Sequence, residues 1–255
     1  MTVPDLAASW SAAGVTASKT TVRRRLQDAG LHGHLAVKKP LLTARHRRLR
    51  LEFAREHLNW NWVDIWTDES RFTMFQSDGP TFVRRWPGKQ LRNDCVVQTV
   101  KFGGGGIMMW GAMSFRGTGF LTRVVGNLNG AGYINILSDN AVPSAHYLGY
   151  GDNFVLQDDG APCHRAKIVN DWKEEQCIRT LVWPPQSPDL NPIENLWWDV
   201  KKGLRTMQSR NANELEANVR QCWGNIPVQR CEKLIKSMPR RIHAVMKAHG
   251  GYTKY

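Results

Sequence analysis

Two apolar, β-rich runs that each end in acid constrain this chain more than any other feature. Residues 63–68 (VDIWTD) put Asp68 at the end of a predicted strand, and residues 154–157 (FVLQ) form a buried strand closed by Asp158 and Asp159. A third acid, Glu194, falls in the first turn of a helix announced by Ser187-Pro188-Asp189-Leu190-Asn191-Pro192. Each acid alone has an ordinary explanation as a turn or cap residue, and a carboxylate suits the positive end of a helix dipole. Three carboxylates from two strand ends and one helix, however, can hold a pair of hard divalent cations. Such a pair activates the attacking oxygen and stabilises the leaving one in an in-line phosphodiester displacement.

The surrounding pattern predicts a layered α/β domain. β character continues from Asp68 through Phe72 and Phe75 to a turn at Asp78-Gly79-Pro80, and residues 81–86 and 107–114 read as two further strands. Gly117-Thr118-Gly119 turns the chain before a strand over 120–125. A helix at about 131–137, the strand 154–157, a helix over 166–176 and a short strand over 180–183 follow. Helical stretches at 192–204, 214–223 and 227–248 finish the chain. Hairpin strands followed by alternating helix and strand imply a mixed sheet.

Charge and composition narrow the partners. The chain has 255 residues, a net charge of +13 and 42% apolar residues, enough for a packed core, so wholesale disorder is excluded. Residues 102–115, the longest uncharged apolar stretch, are too short to span a bilayer and are broken by four glycines. No basic-then-apolar leader opens the chain, so neither secretion nor a membrane partner is expected. Five cysteines without a C-x-x-C pair predict a reducing compartment and no zinc knuckle. The positive surplus points to a polyanion. It is concentrated at residues 1–57, which carry eleven Lys and Arg against four acids.

Two short helices at 5–13 and about 18–29, with Leu6 and Trp10 four apart and Gly14 and Gly30 as stops, suggest a helix-turn-helix. Ser18 or Thr16 caps the second helix. Its Lys19, Arg23, Arg24 and Arg25 would meet phosphates and base edges, although a helical hairpin with a solvated charged face has the same pattern. Lys38-Lys39-Pro40 reads as a linker into a basic helix over 43–57, where Arg45, Arg47, Arg48 and Arg50 are candidates to line a phosphate backbone. The same patch would suit nuclear import. The division expected is a helix-turn-helix segment at 1–36, a basic linker and helix at 37–60, and a catalytic domain at 61–255. The eleven tryptophans suit core and DNA-stacking roles equally.

Three blocks carry a family resemblance. Residues 66–72 (WTDESRF), 157–164 (QDDGAPCH) and 183–197 (WPPQSPDLNPIENLW) resemble the signature blocks of the Tc/mariner superfamily of DNA transposases. So do the glycine run leading into Met108-Met109-Trp110-Gly111, residues 21–31, Lys38-Lys39-Pro40 and residues 43–60. Similarity extends over essentially the whole chain, and the last block is the most specific. The resemblance implies an RNase H-like α/β domain, a mixed sheet flanked by helices, behind a small all-α helix-turn-helix segment. It also implies a catalytic and metal-binding triad of Asp68, Asp159 and Glu194 holding two Mg2+, for which Mn2+ substitutes. Asp159 is chosen because Gly160-Ala161-Pro162-Cys163-His164 follows it, as in the family pattern. Residues 160–193, 34 in number, separate it from Glu194, the spacing of one branch; Asp158 would give 35, which other branches tolerate. His164 is either a substrate contact or an ordering residue of its loop, and is not assigned as a base.

The implied activity is cut-and-paste transposition. A homodimer would cleave double-stranded DNA at inverted-repeat ends, and the freed 3′-hydroxyls would attack a TA dinucleotide, all in the nucleus. Family members usually carry two helix-turn-helix units joined by a Gly-Arg-Pro-Arg-like motif. By that resemblance the sequence begins inside the second unit, so it is expected to be amino-terminally truncated and impaired in finding a specific DNA end. Two other readings stand beside this one: a non-catalytic DNA-binding remnant with relict acids, and a ribonuclease acting on RNA hybrids. Residues 87–98 have the position of a hairpin that reaches a partner subunit.

Overall fold

Alternation along the central strand decides how the sheet packs. In β1 (Ile65–Thr73), Trp66, Asp68, Ser70 and Phe72 share one face, and Ile65, Thr67, Glu69 and Arg71 share the other. A computed structural model of the chain describes residues 3–32, 39–62, 64–74 and 105–255. Lys38, the turn at Asp78-Gly79-Pro80, the predicted strand 81–86 and the segment 87–98 lie outside the described residues.

Two units are distinguished, Met1–Pro40 and Leu41–Tyr255. In the first, α1 (Val3–Ala12) is followed by α2 (Lys19–Asp28), whose first turn is capped by Ser18, which accepts the Thr21 amide at 3.2 Å. Val22 is buried, while Lys19, Arg23, Arg24 and Arg25 are exposed.

The second unit is built on a five-stranded sheet of order β3-β2-β1-β4-β5, with β2 (Gly106–Ser114), β3 (Gly117–Val124), β4 (Val155–Gln157) and β5 (Arg179–Thr180). The first three strands form antiparallel pairs, and β4 and β5 join in parallel, so the sheet is mixed as predicted. On one face Trp66, Phe72, Met109 and Met113 pack against α3 (Ala44–Glu56), α7 (Ile193–Leu204), α8 (Ala212–Gly224), α9 (Val228–Ile235) and α10 (Met238–Lys247). On the other, Ile65, Trp110, Ala112 and Leu156 pack against α4 (Gly130–Ile136), α5 (Val142–Tyr147) and α6 (Lys167–Glu175). Helices on both faces explain why the central strands are apolar on both sides.

Several expectations are corrected by tertiary context. Asp68 does not end its strand: it lies mid-β1 opposite Gly111, because antiparallel pairing with β2 continues to Thr73. Its parallel neighbour β4 stops at Gln157, opposite Trp66, so Asp68 lies just beyond the carboxyl end of β4. The predicted helix 227–248 is two helices, α9 and α10, linked through Lys236 and Ser237. Pro239, with no amide hydrogen to donate, fits only the first turn of the second helix. The helix expected to stop near Leu137 continues through a π-helical turn, Leu137–Ala141, into α5.

Arg50 is the largest departure. Arg45, Arg47 and Arg48 are exposed on α3, whose amino terminus is capped by Thr43, and Lys39 is exposed ahead of it. Arg50 is only 1% exposed and cannot line a phosphate backbone. Its Nη1 and Nη2 each donate to Asp189 at 2.7 Å, and Nε donates to the Gly250 carbonyl at 3.0 Å. A guanidinium this deep is held because a bidentate carboxylate and carbonyl acceptors satisfy its donors.

Candidate active site

The centre of the site is the face of β1 that α7 covers. There Asp68 Oδ2 accepts the indole N–H of Trp197 at 3.1 Å. Trp197 reaches it because Gly111 is the residue opposite Asp68: a β-carbon at that position would lie 2.7 Å from the Trp197 ring. The ring is locked by Trp223, stacked at 4.9 Å, and by the edge of Phe72 at 5.9 Å.

Glu194 stands in the first turn of α7, one turn before Trp197. Two buried arginines hold the loop that starts this helix. Besides the Arg50–Asp189 pair, Arg241 Nη1 donates to the Asp189 carbonyl at 2.8 Å, and Nη2 donates to Asn195 Oδ1. Thr253 adds a hydroxyl to Asp189 Oδ2 at 2.7 Å. Burial depresses the Arg241 pKa to about 10, with Tyr255 and Asp189 opposing the shift.

The two adjacent aspartates after β4 part company. Asp158 is buried and takes Lys173 Nζ at 2.6 Å, the Tyr133 hydroxyl at 3.3 Å and the Gly160 amide at 3.0 Å. Asp159 turns outward, its side chain 49% exposed, and accepts the Ala161 amide at 2.8 Å. Gly160, at φ +66, turns the chain immediately after them in a left-handed conformation that suits glycine. His164 bridges the loop to the sheet: Nδ1 lies 2.9 Å from Asp159 Oδ1 and Nε2 lies 3.3 Å from Glu69 Oε1, while its ring stacks on Tyr133 at 4.0 Å.

Electrostatics ties Asp68, Asp159 and Glu194 into one group. Burial lifts the Asp68 carboxyl well above the usual carboxylate range, and the charges of Glu194, Glu69 and Asp159 lift it further. The protein around Glu194 raises its carboxyl too, Asp159 adds to the rise and Lys201 opposes it. Asp159 moves the other way: His164 holds its carboxyl down against partial burial. Burial opposes charge on His164, but Asp159 and Glu69 outweigh it and push the imidazole up to about 10. The two carboxylates thus favour the charged imidazole.

The donor set suits a divalent ion. Crowded carboxylates with a raised pKa are short of positive charge, and oxygen is the ligand that Mg2+ and Mn2+ accept. Among the described residues no three His, Cys, Asp or Glu side chains already form a closed cage. Mg2+ needs none, since it retains waters and takes one or two carboxylates plus substrate phosphate.

A model described as a DDE superfamily endonuclease matches residues 65–216, and a helix-turn-helix model described as a transposase matches residues 1–59. The chain is 41% identical over 242 residues to the Tcb1 transposase of Caenorhabditis briggsae, covering 93% of this chain and 88% of that one. The chain belongs to the Tc1/mariner family of DNA transposases. The Tc1 transposase of Caenorhabditis elegans has the same identity and coverage. A paired-end complex of Mos1 transposase superposes with a TM-score of 0.82 at 18% identity, over 99% of this chain and 75% of that one. The Mos1 catalytic domain gives 0.67 at 16% identity, over 86% of this chain and all of that domain. These likenesses show the RNase H-like fold, and the match over 1–59 shows that a helix-turn-helix unit is present at the amino terminus.

For this transposase, sequence reasoning missed Glu69, Tyr133, Lys173 and Trp197. Trp197 carried a usable signal, being one helical turn from Glu194 on the buried side of an amphipathic helix. Lys173 and Tyr133 carried none, because their importance comes from meeting Asp158 across the fold. Lys19, Arg23, Arg24 and Arg25 belong to the first unit, and Arg45, Arg47 and Arg48 to the second; all are exposed.

Proposed function

We propose that this transposase cuts DNA at the ends of its element and joins the freed ends to a TA target, with Asp68, Asp159 and Glu194 as catalytic carboxylates. The single observation that supports the reading most is the mutual repulsion of these three groups across β1, the β4 loop and α7. Two Mg2+ ions, or Mn2+, would supply activation of the attacking oxygen and stabilisation of the leaving one. Trp197 fixes Asp68 by a hydrogen bond, His164 and the Ala161 amide orient Asp159, and the start of α7 carries Glu194. In hydrolysis a water oxygen bonds to phosphorus, the P–O3′ bond breaks, and the 3′-oxygen leaves as a hydroxyl. In joining, that 3′-hydroxyl attacks a target phosphate and displaces a target 3′-oxygen, so one set of carboxylates serves both steps.

Lys19, Arg23, Arg24, Arg25, Lys38, Lys39, Arg45, Arg47 and Arg48 are inferred to meet DNA phosphate. We also infer a homodimer, since two ends must be joined together, and a nuclear site of action, since the substrate is DNA. The deciding experiment incubates the purified full chain with supercoiled DNA and Mg2+ or Mn2+, beside Glu194→Gln. Metal-dependent nicking that vanishes in the variant is expected; equal nicking by both would overturn the assignment. Sequencing joined products tests the target, and insertions indifferent to TA would remove that part of the reading.

A further inference from the structure

The two faces of α7 are unlike in a way that core packing does not explain. Ile193, Leu196, Trp197, Val200 and Leu204 are buried. Beside that stripe Glu194, Trp198 and Lys201 fall within a sector of about 60°, because α-helical residues advance by 100° each, and Arg205 follows at the carboxyl end of the helix. Trp198 is 56% exposed, the most exposed tryptophan among the described residues, although its neighbour Trp197 is 1% exposed. Leaving so large an apolar side chain in water forgoes the stabilisation its burial would bring. Lys202 Nζ lies 5.4 Å from the centre of the Trp198 ring, and Lys201 is close enough to Glu194 to lower its carboxyl pKa. One helical turn from Glu194, the surface therefore presents an aromatic plane bordered by cations.

We infer that Trp198 stacks on an unpaired DNA base next to the phosphate being cut, while Lys201, Lys202 and Arg205 track the backbone of the same strand. The inference rests on the reading of Glu194 as part of the cutting site. Charge complementarity selects the occupant: a positively flanked ring beside a carboxylate cluster suits a polyanion that carries flat bases. A paired base hides its faces in the duplex stack, whereas an unpaired one offers a face to the indole, and such stacking tolerates any base. Alternation of cation and aromatic is the pattern of single-strand tracks.

The test uses the full chain and a short forked duplex with 2-aminopurine in its unpaired arm. Wild type and Glu194→Gln should quench the probe on binding, Trp198→Phe should largely retain the quench, and Trp198→Ala should lose it and bind on the order of tenfold more weakly. A fully paired duplex with the probe inside should show no quench that depends on Trp198. Unchanged quenching and affinity in Trp198→Ala, or an equal Trp198-dependent quench on the paired duplex, would overturn the inference. Failure of the catalytic reading looks different: Glu194→Gln would cleave like wild type with Mg2+ while the quench still depended on Trp198. Because Trp198 is exposed, its variants should melt like wild type, which separates lost stacking from lost folding.

Discussion

The indole of Trp197 and the carboxylate of Asp68 join two layers of the domain through one hydrogen bond of 3.1 Å, spanning 129 positions of sequence. The bond makes α7 a brace for the central strand, so the helix that carries Glu194 also sets the rotamer of Asp68. Trp197→Phe should keep the packing against Trp223 and Phe72 while removing the donor. Loss of one hydrogen bond to a charged group, about 1.5–3 kcal/mol, predicts cleavage slowed by roughly ten- to hundredfold with little loss of secondary structure. Single-turnover cleavage and circular dichroism on the same samples check this; an unchanged rate would make Trp197 a core residue only.

Asp68 stores repulsion that the fold tolerates. Its folded pKa lies above its ordinary value of 3.8, so its contribution to stability is most favourable below that value and is lost as pH rises through the folded pKa. Asp68→Asn should therefore melt higher than wild type at pH 7, with the gap closing as pH falls toward 3.8, while cleavage is abolished. Mg2+ or Mn2+ should raise the melting temperature of wild type more than that of the variant. Thermal scans across pH, with and without metal, measure both effects.

Asp158 and Asp159 should separate by phenotype. Asp158→Asn leaves Lys173 buried without its counter-charge and is expected to cost about 3–5 kcal/mol of stability. Asp159→Asn takes one of two carboxylates from the buried His164; with Glu69 still in place it should cost less stability than Asp158→Asn, and it should abolish cleavage. Denaturant titration beside a cleavage assay distinguishes them; normal cleavage by Asp159→Asn would transfer the catalytic role to its neighbour.

Arg50 should behave as a structural cation. Arg50→Met strands Asp189 inside the protein and is expected to cost about 3–5 kcal/mol. Much of that should return when Asp189→Leu is added, because the unpaired charge is gone. A double-mutant cycle by denaturant unfolding gives the coupling; additive losses would show that the pair does not act as a unit.

Arg23, Arg24 and Arg25 should act through salt-dependent affinity. Replacing all three with alanine should weaken DNA binding and reduce the slope of log K against log salt by about 0.9 for each phosphate no longer neutralised. Binding isotherms at several salt concentrations measure the slope, and an unchanged value would remove α2 from the interface.

Local pattern determined much of this protein. Apolar β-rich runs marked the described strands, Ser18 was one of two candidate caps and is the one the fold uses, and strand-then-helix order implied the mixed sheet. Those features are legible because periodicity and capping act within a few residues. The tertiary structure decided what depends on distant partners. It turned Asp158 inward onto Lys173 and left Asp159 facing out, though the two are neighbours in one acidic dipeptide. It drew Arg50 out of a basic helix into a pair with Asp189, 139 positions away. It also set Gly111 against Trp197, where a β-carbon would not fit. A charge is valued by the dielectric and the counter-charge around it, and only the folded chain supplies either.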